Sequence, residues 1–517
     1  MPARRTRLVA LIACVGLLLP ARELAGQVSQ MTFTLPPGPY RAGFRTYELL
    51  DRTRTFEGGV DHTVQPRPLQ TSVWYPARPA AGAQPMRYQE YAVLTAQETG
   101  FRRLTPALRR EHLARFGEEW GQTDSLRRWT ELEAPTRAYL NAPPARGSFP
   151  VVIYGPSFSA PSFENSELVE YLASHGYIVV ASPCMGWHQR AMTGDPLGVE
   201  AQVRDMEFLL DFARTLPGAD TTQVAAMGFS WGGLSDVVLQ LRDPRVRAVV
   251  SLDGWVRYNW RLFRTASSAD LARMDVPFLF LQQKPLPRDT LLKYRMDSTF
   301  TLFDSLAYAD AFVVHFDTLR HGHFAALYIR LMPRGPGEAD QATVNYGYEQ
   351  VSRYVLSFLN GYLRNDSAGR AFLQAEPERN GIRPGVARVE RKAGRGTAPT
   401  LLAFTRALGA AGPREAPAAL ARIREQQPGY RLPEGEVNNW GYQLLRAGRT
   451  DDAIAIFTMN TVLYPASSNV WDALGEAYMD KGDRERAIAS YEHSLALDST
   501  NTNAVRRLQR LRAPARP

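Results

Sequence analysis

Short runs of consecutive apolar residues alternate with amphipathic stretches through the middle of this chain. The runs at 150–154, 177–181, 224–227, 247–252, 277–281 and 311–316 are too brief for helices and are set off by turn-forming residues, so they predict buried strands. Between them, apolar positions recur at helical spacing: Leu168, Val169 and Leu172; Val199, Val203, Met206 and Leu210; Leu234, Val237, Val238 and Leu241; and finally Val351, Tyr354, Val355, Phe358 and Tyr362. Continuous apolar strands alternating with helices require a mostly parallel sheet covered on both faces, which makes the expected class α/β. Two extended stretches at 43–56 and 69–75 predict an edge hairpin ahead of it.

The pattern changes at three places. Residues 86–140 are charged and helical in character and interrupt the strand sequence, so they are expected to be an insertion, either a lid over a site or a packed side element. Residues 376–396 are rich in arginine, glycine and proline without apolar periodicity and are expected to be a linker closing a domain that spans 35–375. Beyond it, Gly441, Gly448, Ala453 and Phe457 recur 34 residues later as Gly475, Gly482, Ala487 and Tyr491. That period, with a small residue in each helix of a pair, is the tetratricopeptide signature, placing repeats at about 434–467 and 468–501 within an all-α region 397–517. Residues 397–427 read as a degenerate helix pair packed against them, and 503–511 as a capping helix.

A chain of 517 residues exceeds one ordinary core, which agrees with this division. The net charge of +9 is partly the work of the amino terminus, and the other arginines are scattered, so a nucleic-acid partner is not expected. Residues 1–26 carry Arg4, Arg5 and Arg7, then an apolar stretch from 8 to 19, then small residues around Ala25: the order of a secretory signal, too short to span a membrane. The expected location is periplasmic or extracellular. Leu11-Ile12-Ala13-Cys14 offers the alternative of a lipoprotein anchored at Cys14. With residues 1–26 removed as a secretory signal, Cys184 would be the only cysteine of the mature chain, a buried residue with no disulfide to form.

Chemistry concentrates at 224–233, VAAMGFSWGG, where Gly228, Ser230 and Gly232 stand in G-x-S-x-G order between a strand and a helix. Such a nucleophile elbow lifts a serine hydroxyl above the sheet edge. A serine needs a base within hydrogen-bond reach and a third group to orient that base. His321 and His323 follow the strand at 311–316, whereas His315 lies within it and reads as structural. For the acid, Asp253 ends the strand at 247–252 beside Gly254, and Asp289 reads rather as a helix cap. No metal-ligand spacing, phosphate loop or dinucleotide fingerprint is present, and no cofactor is expected.

These residues carry a resemblance. SVWYPA at 72–77, FPVVIY at 149–154, EYLASHGYIVVASP at 170–183, GFSWGG, LDGW and H-x-x-F at 321–324 resemble the α/β-hydrolase group of platelet-activating-factor acetylhydrolases and dienelactone hydrolases. The resemblance covers about three-fifths of the chain. It implies Ser230, Asp253 and His321 as the triad and leaves His323 as the runner-up base; Asp289, by its position after the following strand, is the runner-up acid. It also implies an oxyanion site on backbone N–H groups. The family's usual His-Gly is Gly155-Pro156 here, and proline has no N–H, so the expected donors are Trp231 and Ser157. Phe158, Phe163, Trp187, Trp255 and Trp260 are candidate walls of an acyl pocket.

The expected function is hydrolysis of carboxylic esters of small molecules through an acyl-enzyme. Two rivals stand beside it: a peptidase or amidase on the same fold, and a catalytically weak scaffold that binds a partner through its repeats. Those repeats could equally hold a protein or peptide, or a second copy of the chain.

Overall fold

The computed structural model describes residues 28–58, 63–267, 271, 274–335 and 337–513. The expected signal segment 1–26, and with it Cys14, lies outside them. Ten strands make up one sheet: β1 (Arg41–Gly58), β2 (Thr63–Ala77), β3 (Ala138–Leu140), β4 (Phe149–Gly155), β5 (Ile178–Ala181), β6 (Ala219–Phe229), β7 (Val246–Leu252), β8 (Phe278–Gln282), β9 (Ala311–Phe316) and β10 (Ala387–Lys392). Their order is β10-β9-β8-β7-β6-β4-β5-β2-β1-β3. From β5 to β9 all neighbours are parallel. The hairpin β1–β2 joins β5 antiparallel, and β10 joins β9 antiparallel.

The central strands are apolar at successive positions because both faces are covered. Val152 and Tyr154 of β4 point into one core with Leu168 and Leu172 of helix Ser166–Ser174 and Val351 and Phe358 of helix Gln341–Leu363. Val151 and Ile153 point into the other, with Val203 and Met206 of helix Pro196–Ala213 and Leu234 and Val238 of helix Trp231–Arg242. Each such side chain, fully buried, contributes about 1.5–3 kcal/mol of transfer free energy. Crossover helices on both faces leave the carboxyl ends of β6, β7 and β9 at one rim, where the candidate residues meet.

Residues 86–140 form helices at Pro106–Arg115 and Ser125–Glu133 with shorter turns between. Tyr88, Tyr91, Leu113, Phe116 and Leu132 from this stretch are buried in the first core. Buried Arg330 pairs with Glu131 of the insertion at 2.8 Å and with Glu167. The insertion packs against the first core along this side of the sheet.

The stretch 376–396 is not a free linker. It contains the turn Pro377–Asn380 and edge strand β10. An edge strand covered on one side needs no long apolar run: Val389 packs on the core while Glu390 reaches His315 Nε2 at 2.8 Å. Buried His315 is thereby accounted for within the sheet.

After β10 the chain is helical. Helices Glu434–Arg446 and Thr450–Leu463, then Ser468–Lys481 and Arg484–Leu497, form two hairpins at the 34-residue period. A side chain at Gly441 would strike the Phe457 ring at 2.5 Å, and one at Gly475 would come within 3.0 Å of Tyr491, which explains why glycine and aromatic recur together. Helices Leu401–Leu408 and Ala416–Gln426 share the first hairpin's core through Phe404 and Leu420, and helix Thr502–Arg512 closes the far end with Ala504 and Leu508. Arg406 ties the first of these helices to Asp275 at 2.8 Å. Among the described residues, no helix is long and apolar enough to cross a membrane.

Candidate active site

Strand β6 ends at Phe229 and helix Trp231–Arg242 begins two residues later, so Ser230 must make the whole turn. Its φ of +54° lies in the left-handed region, a conformation that costs about 1–3 kcal/mol and persists only when the surroundings impose it. They do. Ser230 N–H donates to Leu252 O at 3.0 Å, and Trp255 N–H donates to Ser230 O at 2.6 Å. The glycines provide clearance: a Cβ on Gly232 would stand 1.8 Å from Gly155 O, and one on Gly228 would stand 2.7 Å from it.

Asp253 follows β7 directly and is fully buried, also with positive φ, +41°, its N–H held by Leu281 O at 2.7 Å. The loop after β9 brings in the third group. His321 Nε2 lies 2.9 Å from Ser230 Oγ, and its Nδ1 lies 2.6 Å from Asp253 Oδ2. The imidazole rests against the Phe229 ring at 4.8 Å between centroids. In this arrangement Nδ1–H donates to the carboxylate and Nε2 is the acceptor for the serine proton.

The runners-up stand elsewhere. His323 Nδ1 accepts the Arg320 N–H at 3.1 Å, and burial brings its pKa down to about 4. Asp289 is exposed within the first turn of helix Arg288–Lys293, behind Pro287, so it neither caps that helix nor stands by the histidine pair.

Of the two expected oxyanion donors, Trp231 opens its helix, and its N–H has no carbonyl one turn behind it. Ser157 is different. Its N–H donates to Glu164 Oε1 at 2.6 Å and its hydroxyl to Glu164 Oε2 at 2.7 Å. The Ser157 amide is thus committed away from the serine, which corrects the expectation. Glu164 is fully buried and also accepts the Tyr154 hydroxyl at 2.8 Å. Burial raises its pKa to about 7, against the opposing pull of the Ser157 and Tyr154 hydrogen bonds. Sequence reasoning missed Glu164 because nothing in a local pattern marks a buried acid nine residues from the strand it supports.

Around this loop the chain is pinned. Gln202 Nε2 donates to Pro156 O at 2.7 Å. Arg190 Nη2 donates to Ser159 O at 3.0 Å while its Nε pairs with Glu98 of the insertion at 2.6 Å. Of the candidate pocket walls, Phe158 is exposed and packs edge-on against Trp231 at 5.3 Å. Phe163 is core, stacked on Tyr91. Trp187 lies over Arg54, and Trp260 packs on Phe263, so neither is shown facing the serine. Cys184 is buried and its thiol pushed up to about 12, an inert packing residue.

Residues 120–253 match the family model described as Chlorophyllase, and residues 468–501 match that of the tetratricopeptide repeat. The chain is 30% identical over 133 residues to a "Putative carboxymethylenebutenolidase" of Synechocystis sp., covering 22% of this chain and 52% of that protein. It is 34% identical over 86 residues to cellulose synthase operon protein C of Escherichia coli, covering 17% of this chain and 7% of that protein. The chain thus spans about half, or far less, of the curated relatives it matches. A ferulic acid esterase structure from Streptomyces cinnamoneus aligns at 21% identity with a TM-score of 0.46, over 65% of this chain and 94% of that one. The ten-stranded sheet, the elbow and the matches together make this chain similar to chlorophyllases and carboxymethylenebutenolidases over part of its α/β region, and similar to tetratricopeptide repeats at 468–501.

Proposed function

We propose that this chain is an exported serine hydrolase that cleaves carboxylic esters of small molecules. The observation that carries the reading is the continuous link from Ser230 Oγ through His321 to Asp253, at 2.9 and 2.6 Å. Ser230 Oγ attacks the ester carbonyl as His321 Nε2 takes its proton, and Asp253 holds the resulting imidazolium. The Trp231 N–H donates to the oxyanion. Collapse breaks the bond to the alcohol, which leaves with the proton from Nε2, and a water then attacks the acyl-serine by the same route. The acid is released and Ser230 regains its proton. No cofactor takes part.

Hydrolysis of p-nitrophenyl esters from acetate to octanoate by the mature protein, with Ser230→Ala alongside, tests this. Loss of activity in the variant supports the reading, and full activity in it defeats the assignment. One observation favours a weaker catalyst acting as a scaffold: the Ser157 amide is held by Glu164, leaving Trp231 as the donor of the expected pair. Failure of a fluorophosphonate probe to label Ser230 would favour that second reading. The repeats are proposed to hold a protein or peptide partner, or a second copy.

A further inference from the structure

Strand β8 lies between β7, which Asp253 directly follows, and β9, which leads to His321. Gln283, one residue beyond β8, touches both sides. Its main-chain N–H donates to Asp253 Oδ1 at 3.1 Å, and its side-chain Oε1 accepts the main-chain N–H of His321 at 2.9 Å. Its Nε2 donates to the Tyr258 hydroxyl at 3.1 Å, and that hydroxyl donates to Asp253 Oδ1 at 2.9 Å. With the His321 Nδ1 to Asp253 Oδ2 contact, the hydrogen bonds close a ring through Asp253, Tyr258, Gln283 and His321.

The ring addresses a specific need. The His321 side chain is 38% exposed, so packing alone does not fix the imidazole. Asp253 has two oxygens, and only one should face Nδ1. Two donors on Oδ1 set the rotation of the carboxylate and leave Oδ2 for the histidine, while the bond to the His321 N–H anchors the backbone that carries the ring. Gln283 and Tyr258 are both buried, and their polar atoms meet each other, Asp253 and the His321 main chain. Burial beside Asp253 raises the Tyr258 pKa, which keeps its hydroxyl a donor.

We propose that Gln283 and Tyr258 are positioning residues that register the acid and the base of the proposed hydrolase across the intervening strand. This inference rests on the ester-hydrolase reading above. The test compares Gln283→Leu, Gln283→Glu and Tyr258→Phe with the wild type, measuring kcat, KM and the pH dependence of kcat/KM on a p-nitrophenyl ester. Gln283→Leu is expected to lower kcat about 10- to 100-fold with KM within about twofold, the pattern of a displaced catalytic group. Gln283→Glu keeps an acceptor for the His321 N–H and is expected to recover much of that loss. Its added negative charge should move the acid limb of kcat/KM to higher pH. Tyr258→Phe removes one donor from Asp253, strengthens the carboxylate's hold on the imidazolium, and should move the limb the same way.

A Gln283→Leu enzyme within twofold of wild-type kcat overturns the proposal. So do equal losses in Gln283→Leu and Gln283→Glu with an unmoved acid limb, the mark of a structural role only. If Gln283→Leu does not fold, the limb positions of the other two variants decide. Should the wild type be silent on the ester, the rate of fluorophosphonate labelling replaces kcat. Ser230→Ala as active as the wild type, or no labelling of Ser230 at all, defeats the hydrolase reading and this inference with it. A Ser230-dependent enzyme indifferent to Gln283 and Tyr258 defeats this inference alone.

Discussion

Glu164 accepts both the main-chain N–H and the hydroxyl of Ser157, at 2.6 and 2.7 Å, in a fully buried position beneath the loop that follows β4. The contact fixes that loop, and it places an acid whose folded pKa is about 7 within the structure that supports the candidate site. An ordinary glutamate in the unfolded chain titrates near 4.3. The folded state therefore holds the proton more tightly, so this group's contribution to stability is complete below the unfolded pKa and is lost as pH rises through about 7.

Glu164→Gln retains an acceptor for the Ser157 N–H and cannot ionise. At pH 8.5 the variant should be more stable than the wild type by about 2–3 kcal/mol, and near pH 5 the two should nearly coincide. Urea midpoints at both values measure this; an equal difference at both would show that Glu164 does not titrate in this window.

Two other buried carboxylic acids act in the same direction. Burial raises Glu98 to about 7, against the Arg190 charge, and raises Glu170 to about 8, with neighbouring Glu167 adding to it. Thermal unfolding should thus occur at higher temperature at pH 5.5 than at pH 8.5.

His321→Ala should lower kcat/KM for a p-nitrophenyl ester by about 10³-fold or more, with circular dichroism unchanged. His323→Ala and Asp289→Asn should stay within about threefold of the wild type, because neither side chain touches the Ser230, His321 and Asp253 group. A large loss in either would require a different base or acid.

Gly232→Ala would place a Cβ 1.8 Å from Gly155 O, and both partners are backbone, so neither side can yield cheaply. Destabilisation above about 3 kcal/mol is expected, seen as a lowered melting temperature or insoluble protein. Gly435→Ala meets nothing within 4 Å on the first repeat helix and should melt like the wild type.

Arg330→Met would leave Glu131 and Glu167 buried without their shared cation. A loss of about 3–5 kcal/mol in denaturant unfolding is expected. A negligible change would mean that the 86–140 wall is held by its aromatic core alone.

Much of the architecture is local and was open to reading along the chain. Apolar runs between turn residues mark β4 to β9, because strands buried on both faces have no polar side to show. The G-x-S-x-G turn around Ser230 demands glycine at fixed offsets, and the 34-residue repeat demands small residues opposite Phe457 and Tyr491. Those requirements act between near neighbours, so they leave a pattern in the sequence. Strand β10 left little, since an edge strand faces the core on one side only and its charged alternation looks like a linker.

What the tertiary structure alone decided involves partners far apart in the chain. Asp253 and His321 are 68 residues apart, and their 2.6 Å contact exists because β7, β8 and β9 end side by side at one rim. The capture of Ser157 by Glu164, the packing of 86–140 as a wall through Arg330, and the bridge made by Gln283 arise in the same way. Each depends on where a buried polar group finds its hydrogen bond, and burial forces that bond to be made with whichever group the fold brings near. A linear pattern carries residue types and spacings; which donor meets which acceptor in the interior is a property of the packed chain.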